Sequence, residues 1–234
     1  MADEPGKREQ AKAERRIRIV QAARDLIRET GETDLSMRTL AQRAEVSLST
    51  PYNLFGSKRA VVLAVFEDER DFAQRFQALD GVSSIDRIFA AHELAFGYYT
   101  NDPDFYRTLW RALLSTTTQD DTGLATPQRR AQTRAIWRGL VQAASDEGYL
   151  TEDVSLDLVL QAMAQITGGA LLSWAMGSLS TGALTASVGM GYGLCLRGVA
   201  SPAGIRHLGP HIARYQDQLA QVGPRLSERI SETL

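Results

Sequence analysis

Strand-forming patterns are almost missing from these 234 residues. No run alternates β-branched and aromatic residues, and no Asn-Gly or Asp-Gly pair joins two such runs, which excludes a sheet-based fold. Cysteine occurs once, at Cys195, so neither an intrachain disulfide nor a zinc knuckle nor a CxxC redox pair is available. That usage suits a reducing cytoplasm, and the opening Met-Ala-Asp-Glu-Pro-Gly-Lys-Arg lacks the apolar stretch of a secretory signal. Only three histidines occur. His207 and His211 stand four apart, but Gly209-Pro210 lies between them and no third ligand is near, so they are expected as a surface pair and no metal is expected. Neither a GxSxG elbow nor a Walker loop is present, and Gly189-x-Gly191-x-Gly193 lacks both the preceding strand and the spacing of a phosphate loop. No catalytic residue and no cofactor is expected.

One-signed charge is also lacking: the formal net charge is −2, too small for a global field that would select an anionic partner. Its distribution is uneven. Residues 1–65 hold 12 Lys and Arg against 9 Asp and Glu, and the remainder holds 14 against 19. A basic N-terminal segment precedes an acidic body. With 44% hydrophobic and 23% charged residues, the chain has enough apolar material for a core and is not disordered.

Helical spacing fills the space left by missing strands. Ile19, Ala22, Ala23, Leu26 and Ile27 make one apolar stripe in a helix from Arg15 to Thr30, closed by Gly31; residues 1–14 read as a flexible tail. Ser36 caps a short helix carrying Leu40, Ala41 and Ala44, and Ser47 is placed to cap another ending near Phe55. Gly56-Ser57 then starts a helix running to about Leu79. Further helices are expected over Ser84–Thr100, Pro103–Thr117, Pro127–Glu147, Ser155–Ser178 and Leu184–Val199, with Thr116–Thr126 as a connector. A last helix, Gly204–Val222, should be interrupted near Gly209-Pro210. Three helices in so short a head give a small core that should lean on the helices C-terminal to it.

The pair of short helices around Ser47 reads as a helix-turn-helix. Short polar side chains on its second helix (Ser49, Thr50, Asn53, with Leu48) would let a backbone lie deep in a major groove and reach base edges. Tyr52 offers a phenol to a phosphate, and Lys58 adds a cation at a helix start. Ser47, and Ser36 and Arg38 at the first short helix, complete the candidate DNA contacts. An ordinary helical hairpin whose polar face meets only water is the other reading of that spacing.

Ile19-x-x-Ala22-Ala23-x-x-Leu26-Ile27-x-x-x-Gly31, Leu40-Ala41-x-x-Ala44-x-Val46-Ser47 and Tyr52-x-x-Phe55-x-Ser57-Lys58 occur in one order and spacing. Together they resemble the DNA-binding domain of TetR-family transcriptional repressors. The resemblance implies an all-α protein: a three-helix head over residues 15–62 and a larger helical ligand-binding and dimerisation domain over 63–234. It implies a homodimer that binds a pseudo-palindromic double-stranded operator and is released by a small, largely apolar effector. Two departures stand out. Glu45 occupies a turn position where glycine is usual, and Pro51 stands where an aliphatic is usual, so the second helix is expected to start a residue or two late.

Elsewhere, His92, Phe96, Tyr99, Tyr106, Trp110, Trp137 and Trp174 are candidate effector contacts, since a mostly apolar pocket needs a few polar anchors; core packing is the other reading for each. Arg130, Arg134 and Arg138 repeat at i+4 steps, which an anionic ligand, opposed carboxylates or a solvated face would each explain. Ser155–Ser178 and Leu184–Val199 are the most apolar helices, but Asp157, Gln161, Gln165 and Ser173 argue against a membrane. By resemblance, helices near the C-terminus pack on their symmetry mates, with small residues easing close approach. A different reading of the whole is a helical small-molecule-binding protein whose head binds another protein.

Overall fold

The computed structural model describes residues 6–68, 83–115 and 126–222. Its described elements are all helices: α1 (Lys7–Thr30), α2 (Met37–Arg43), α3 (Ser49–Phe55), α4 (Lys58–Asp68), α5 (Ser84–Asn101), α6 (Pro103–Ser115), α7 (Pro127–Asp146), α8 (Leu156–Ala175), α9 (Thr181–Arg197) and α10 (Pro202–Val222). A lone antiparallel bridge pairs Leu150 with Ala200. The expected continuation of α4 to Leu79 and most of the Thr116–Thr126 connector lie outside the described residues. Residues 1–70 with 104–129 form one compact unit, and 71–103 with 130–234 form another.

In the first unit, the apolar stripe of α1 buries Ile19, Ala22, Ala23, Leu26 and Ile27 beside Leu40, Val61, Val65 and Phe66. This small core recruits α6. The Trp110 and Tyr106 rings meet the Phe66 ring edge-on at 5.5 and 6.5 Å, and Leu109 and Leu113 are wholly buried. Arg59 donates to the Leu113 carbonyl at 2.9 Å, satisfying one of the open acceptors at the C-terminal end of α6. Helix α1 starts at Lys7, two turns before the expected Arg15, so most of the tail expected over 1–14 is helical.

The second unit gathers α5, α8, α9 and α10 around Phe89, His92, Phe96, Trp174, Tyr192 and Tyr215, all buried. Helix α5 opens on Ser83, whose hydroxyl accepts from the Asp86 amide at 3.2 Å, and Glu147 accepts from the Ser84 amide and hydroxyl at 3.2 and 3.0 Å. These acceptors satisfy first-turn donors. The small residues of α9 serve contacts within the chain. A Cβ at Gly189 would lie 2.4 Å from the Tyr215 ring, and one at Gly193 would lie 2.7 Å from Ile212. The exposed glycines Gly168 and Gly169 sit on α8.

Two sequence expectations are corrected in α10. The helix continues through Pro210, because Gly209 and Pro210 lie on the exposed side while Gly204, Leu208, Ile212 and Tyr215 anchor both halves inward. One missing donor then costs less than the packing it would interrupt. His207 and His211 are not an open pair. His211 stacks on Phe89 at 4.2 Å and contacts Asp86 at 2.7 Å, whereas exposed His207 rests against Tyr149 at 4.6 Å.

Candidate nucleic-acid interface

Helix α2 begins at Ser36, whose hydroxyl accepts from the Thr39 amide at 3.3 Å. It ends in a two-bond cap: the Val46 amide donates to the Ala41 carbonyl at 3.0 Å, and the Glu45 amide donates to Gln42 at 3.2 Å. That Schellman geometry needs a left-handed residue between helix and exit, and Glu45 supplies it at φ 54°. The turn where glycine is usual therefore keeps its geometry with Glu45 in it and places the strain on that residue. Arg43 locks α2 to α1 by donating to both Glu29 oxygens at 2.9 and 2.8 Å. The Arg43 hydrogen bond holds the Glu29 carboxyl below its ordinary range.

Helix α3 runs over Ser49–Phe55, and Leu48 before it already has helical dihedrals (φ −55°, ψ −32°), so Thr50 is helical despite the Pro51 that follows it. Pro51 is buried in the first turn, where its missing amide hydrogen has no helical partner to lose. The Ser47 hydroxyl does not cap the backbone; it bonds the hydroxyls of Thr50 at 2.7 Å and Ser49 at 3.1 Å. At 100° per residue, Leu48, Tyr52, Ser49 and Asn53 share one contiguous face, and all four are exposed. Leu48 is 55% and Tyr52 50% exposed, unusual for such side chains. Thr50 turns the other way, half-buried against Ser47. Ser36 and Arg38 are exposed at the start of α2.

Two contacts around α3 escaped sequence reading. Arg16 donates to the Leu54 carbonyl at 3.1 Å and lays its guanidinium over the Phe55 ring at 4.2 Å, tying the end of α3 to α1. Lys58, expected to face a phosphate, places its ammonium on the Asp34 carboxylate. The Lys58 hydrogen bond lowers the Asp34 pKa. Separations of 38 and 24 residues leave no spacing signal.

The aromatic candidates divide. Tyr106 and Trp110 belong to the first unit, whereas His92, Phe96, Tyr99, Trp137 and Trp174 belong to the second. There His92 lies 4.7 Å from Phe96 and 5.4 Å from Tyr192, Tyr99 meets Trp174 at 5.6 Å, and half-buried Trp137 meets Tyr192 at 5.5 Å. His92 is wholly buried, and its Nε2–H donates to the Thr185 carbonyl at 2.9 Å. Burial pushes its pKa down to about 4, against the Thr185 hydrogen bond, so the ring is neutral and its Nδ1 is an acceptor. That Nδ1 has no hydrogen-bond partner among the described residues. The arginine ladder finds its acid: Asp157 pairs with Arg138 and with Arg134 at 3.5 Å. Among the described residues no group of three His, Cys, Asp or Glu could hold a metal.

Residues 19–65 match the family of bacterial regulatory proteins, tetR family. No curated protein matches the chain in sequence. Solved structures do in shape. A TetR transcription regulator from Haloarcula marismortui is 18% identical, with 81% of this chain and 100% of that chain covered at a TM-score of 0.62. TylP, a TetR regulator from Streptomyces fradiae, is 20% identical over 91% of this chain and 93% of its own, at 0.57. FadR from Thermus thermophilus, a TetR-family repressor solved with lauroyl-CoA, is 21% identical over 78% and 94%, at 0.57. Residues 19–65 thus match the tetR family of bacterial regulatory proteins, and the chain as a whole shares the all-helical fold of these regulators.

Proposed function

We propose that the protein is a ligand-responsive repressor that acts in the cytoplasm, binds a pseudo-palindromic operator as a homodimer and leaves it when a small molecule binds. The observation that carries the reading is the open face of α3. A seven-residue helix that buries only Pro51 is held in shape by Arg16 and its neighbours, and the face so held carries Leu48, Ser49, Tyr52 and Asn53. Ser49 and Asn53 read base edges, Leu48 packs on a base methyl group, and Tyr52 takes a phosphate. Ser36 and Arg38 add backbone contacts. Lys58 exchanges Asp34 for a phosphate when DNA arrives, and Ser47 and Thr50 shape the start of α3 from behind.

Exposed Leu158 and Leu172 on α8 and Met176 at its C-terminal cap, with Leu194 on α9 and Ile205 on α10, supply the apolar surface for a second copy. Helix α8 is long and apolar enough to cross a membrane, with a third of that stretch buried; a face for a partner helix accounts for the rest. The effector site is the second unit's aromatic group: His92, Phe96, Tyr99, Trp137 and Trp174. The unpartnered Nδ1 of His92 asks for an effector with a hydrogen-bond donor on an apolar body. Tyr106 and Trp110 stay with the core of the first unit.

Selection of bound sequences from a randomised duplex pool, read by mobility shift, tests the reading. An inverted repeat should emerge. Tyr52→Phe should weaken every selected site alike, about tenfold at most, whereas Asn53→Ala should change the preferred bases. Recovery of no common sequence would sink the proposal. Sedimentation of Leu172→Asp should show a monomer where the parent is a dimer.

A further inference from the structure

The recognition face is not the only part of the first unit that suits DNA. Helix α1 runs through 12 residues, about 18 Å of helix, before its first buried side chain at Ile19. From Ile19 onward one face of α1 is apolar and buried: Ile19, Ala22, Ala23 and Leu26. Upstream the same face continues as Arg8, Lys12 and Arg15, at the i, i+4, i+7 positions that lead to Ile19 at i+11. A stripe that packs on the head thus becomes a basic stripe where the head's core stops. Glu9 and Glu14 lie off its centre; Glu9 meets Lys12 at 3.7 Å, both widely exposed, which is a weak surface pair.

The direction of this stripe is set by Arg16. Its bond to the Leu54 carbonyl at 3.1 Å and its stacking on Phe55 at 4.2 Å bring this stretch of α1 to the C-terminal end of α3. A duplex lying along α3 presents one negative charge per about 1.7 Å of its axis, and a row of cations starting one residue from Arg16 lies within that field. Burial is not what makes these residues helical, since none of them is buried; their Ala, Glu, Lys, Gln and Arg content carries high intrinsic helix propensity.

We infer that Arg8, Lys12 and Arg15 form a second, sequence-independent phosphate-binding surface that extends the footprint of the head beyond its recognition helix. The inference rests on the DNA-binding reading above. The stripe reads no bases; it adds affinity and salt dependence, while α3 decides sequence.

The test uses the full chain and its Arg8→Gln/Lys12→Gln/Arg15→Gln variant. Glutamine keeps helix propensity, and equal far-ultraviolet circular dichroism confirms that α1 persists. Binding to a mixed-sequence duplex is followed by fluorescence anisotropy over a range of salt. The slope of log K against log salt should flatten by roughly 2 to 3 per bound head, since each phosphate contact contributes about 0.9. Affinity at low salt should fall at least tenfold, and sequences selected from a randomised pool should be unchanged. An unchanged slope, or altered sequence preference, overturns the inference. If the variant instead loses binding to phosphatidylserine vesicles while its DNA binding is untouched, the stripe serves a membrane and the inference is wrong. Should Tyr52→Phe and Lys58→Ala weaken DNA binding while the triple variant does not, the DNA-binding reading stands and only the stripe fails. Absence of any DNA binding by the parent chain removes both.

Discussion

Three helices of this protein end in the same way, and one of them breaks the local rule the other two obey. In α7 the Tyr149 amide donates to Ala144 and the Gly148 amide to Ser145; in α8 Ser178 donates to Ser173 and Gly177 to Trp174. Each pair needs a left-handed residue, supplied by Gly148 at φ 75° and Gly177 at φ 81°. At the end of α2 the same two bonds form around Glu45 at φ 54°. A left-handed non-glycine residue costs roughly 1–2 kcal/mol. The second unit obeys the backbone preference; the first unit carries an acid in the turn that aims α3. Polar groups divide in the same sense. The second unit encloses His92, Tyr192 and Tyr215, whereas the first keeps Ser49, Tyr52 and Asn53 outside.

The largest expected effect lies in the second unit. His92 in the folded chain has its pKa lowered to about 4 by burial, against about 6.5 when unfolded. Between those values the unfolded chain binds the extra proton. Stability is therefore full above pH 6.5 and falls as pH drops toward 4, by about 3 kcal/mol over that window. Urea midpoints at pH 7 and pH 4.5 should diverge for the parent chain. His92→Phe should bring them closer, and an undiminished divergence would contradict the assignment.

Next comes an exchange of cap residues. Gly177→Glu puts a side chain at φ 81° and should cost about 1 to 2 kcal/mol, seen as a lower urea midpoint with unchanged slope. The reverse change is the smallest. Glu45→Gly should stabilise by less than about 1 kcal/mol, because relief of the left-handed strain is partly offset by glycine's freedom in the unfolded chain. It should also strengthen binding to any duplex by removing an acid from the turn before α3. If Glu45→Gly destabilises the protein, the strain assigned to this turn is absent.

Much of the fold is legible in the residue order. The stripes at Ile19–Ile27 and at Leu40, Ala41 and Ala44 mark α1 and α2, because apolar spacing reports directly on a buried face. The delay expected from Pro51 is not part of it, because Thr50 lies within α3 and Leu48 before it already has helical dihedrals. Continuity of α10 through Pro210 is not legible: a local rule argues for a break, and burial of Leu208 and Ile212 on either side overrides it. Nor is the split of the aromatics. Tyr106 and Trp110 look like companions of His92 and Trp174 in sequence, yet α6 is claimed by Phe66.

Residue order alone thus fixes which stretches become helices and which of their faces are apolar, though not where α1 starts or that α10 runs through Pro210, since the former depend on neighbours within a few residues. Folding in three dimensions was needed to show that Arg16 grips α3, that Asp34 holds Lys58 and that the Nδ1 of a buried imidazole finds no donor among the described residues. Such facts join residues far apart in the chain, and only packing fixes which polar groups meet and which are left over.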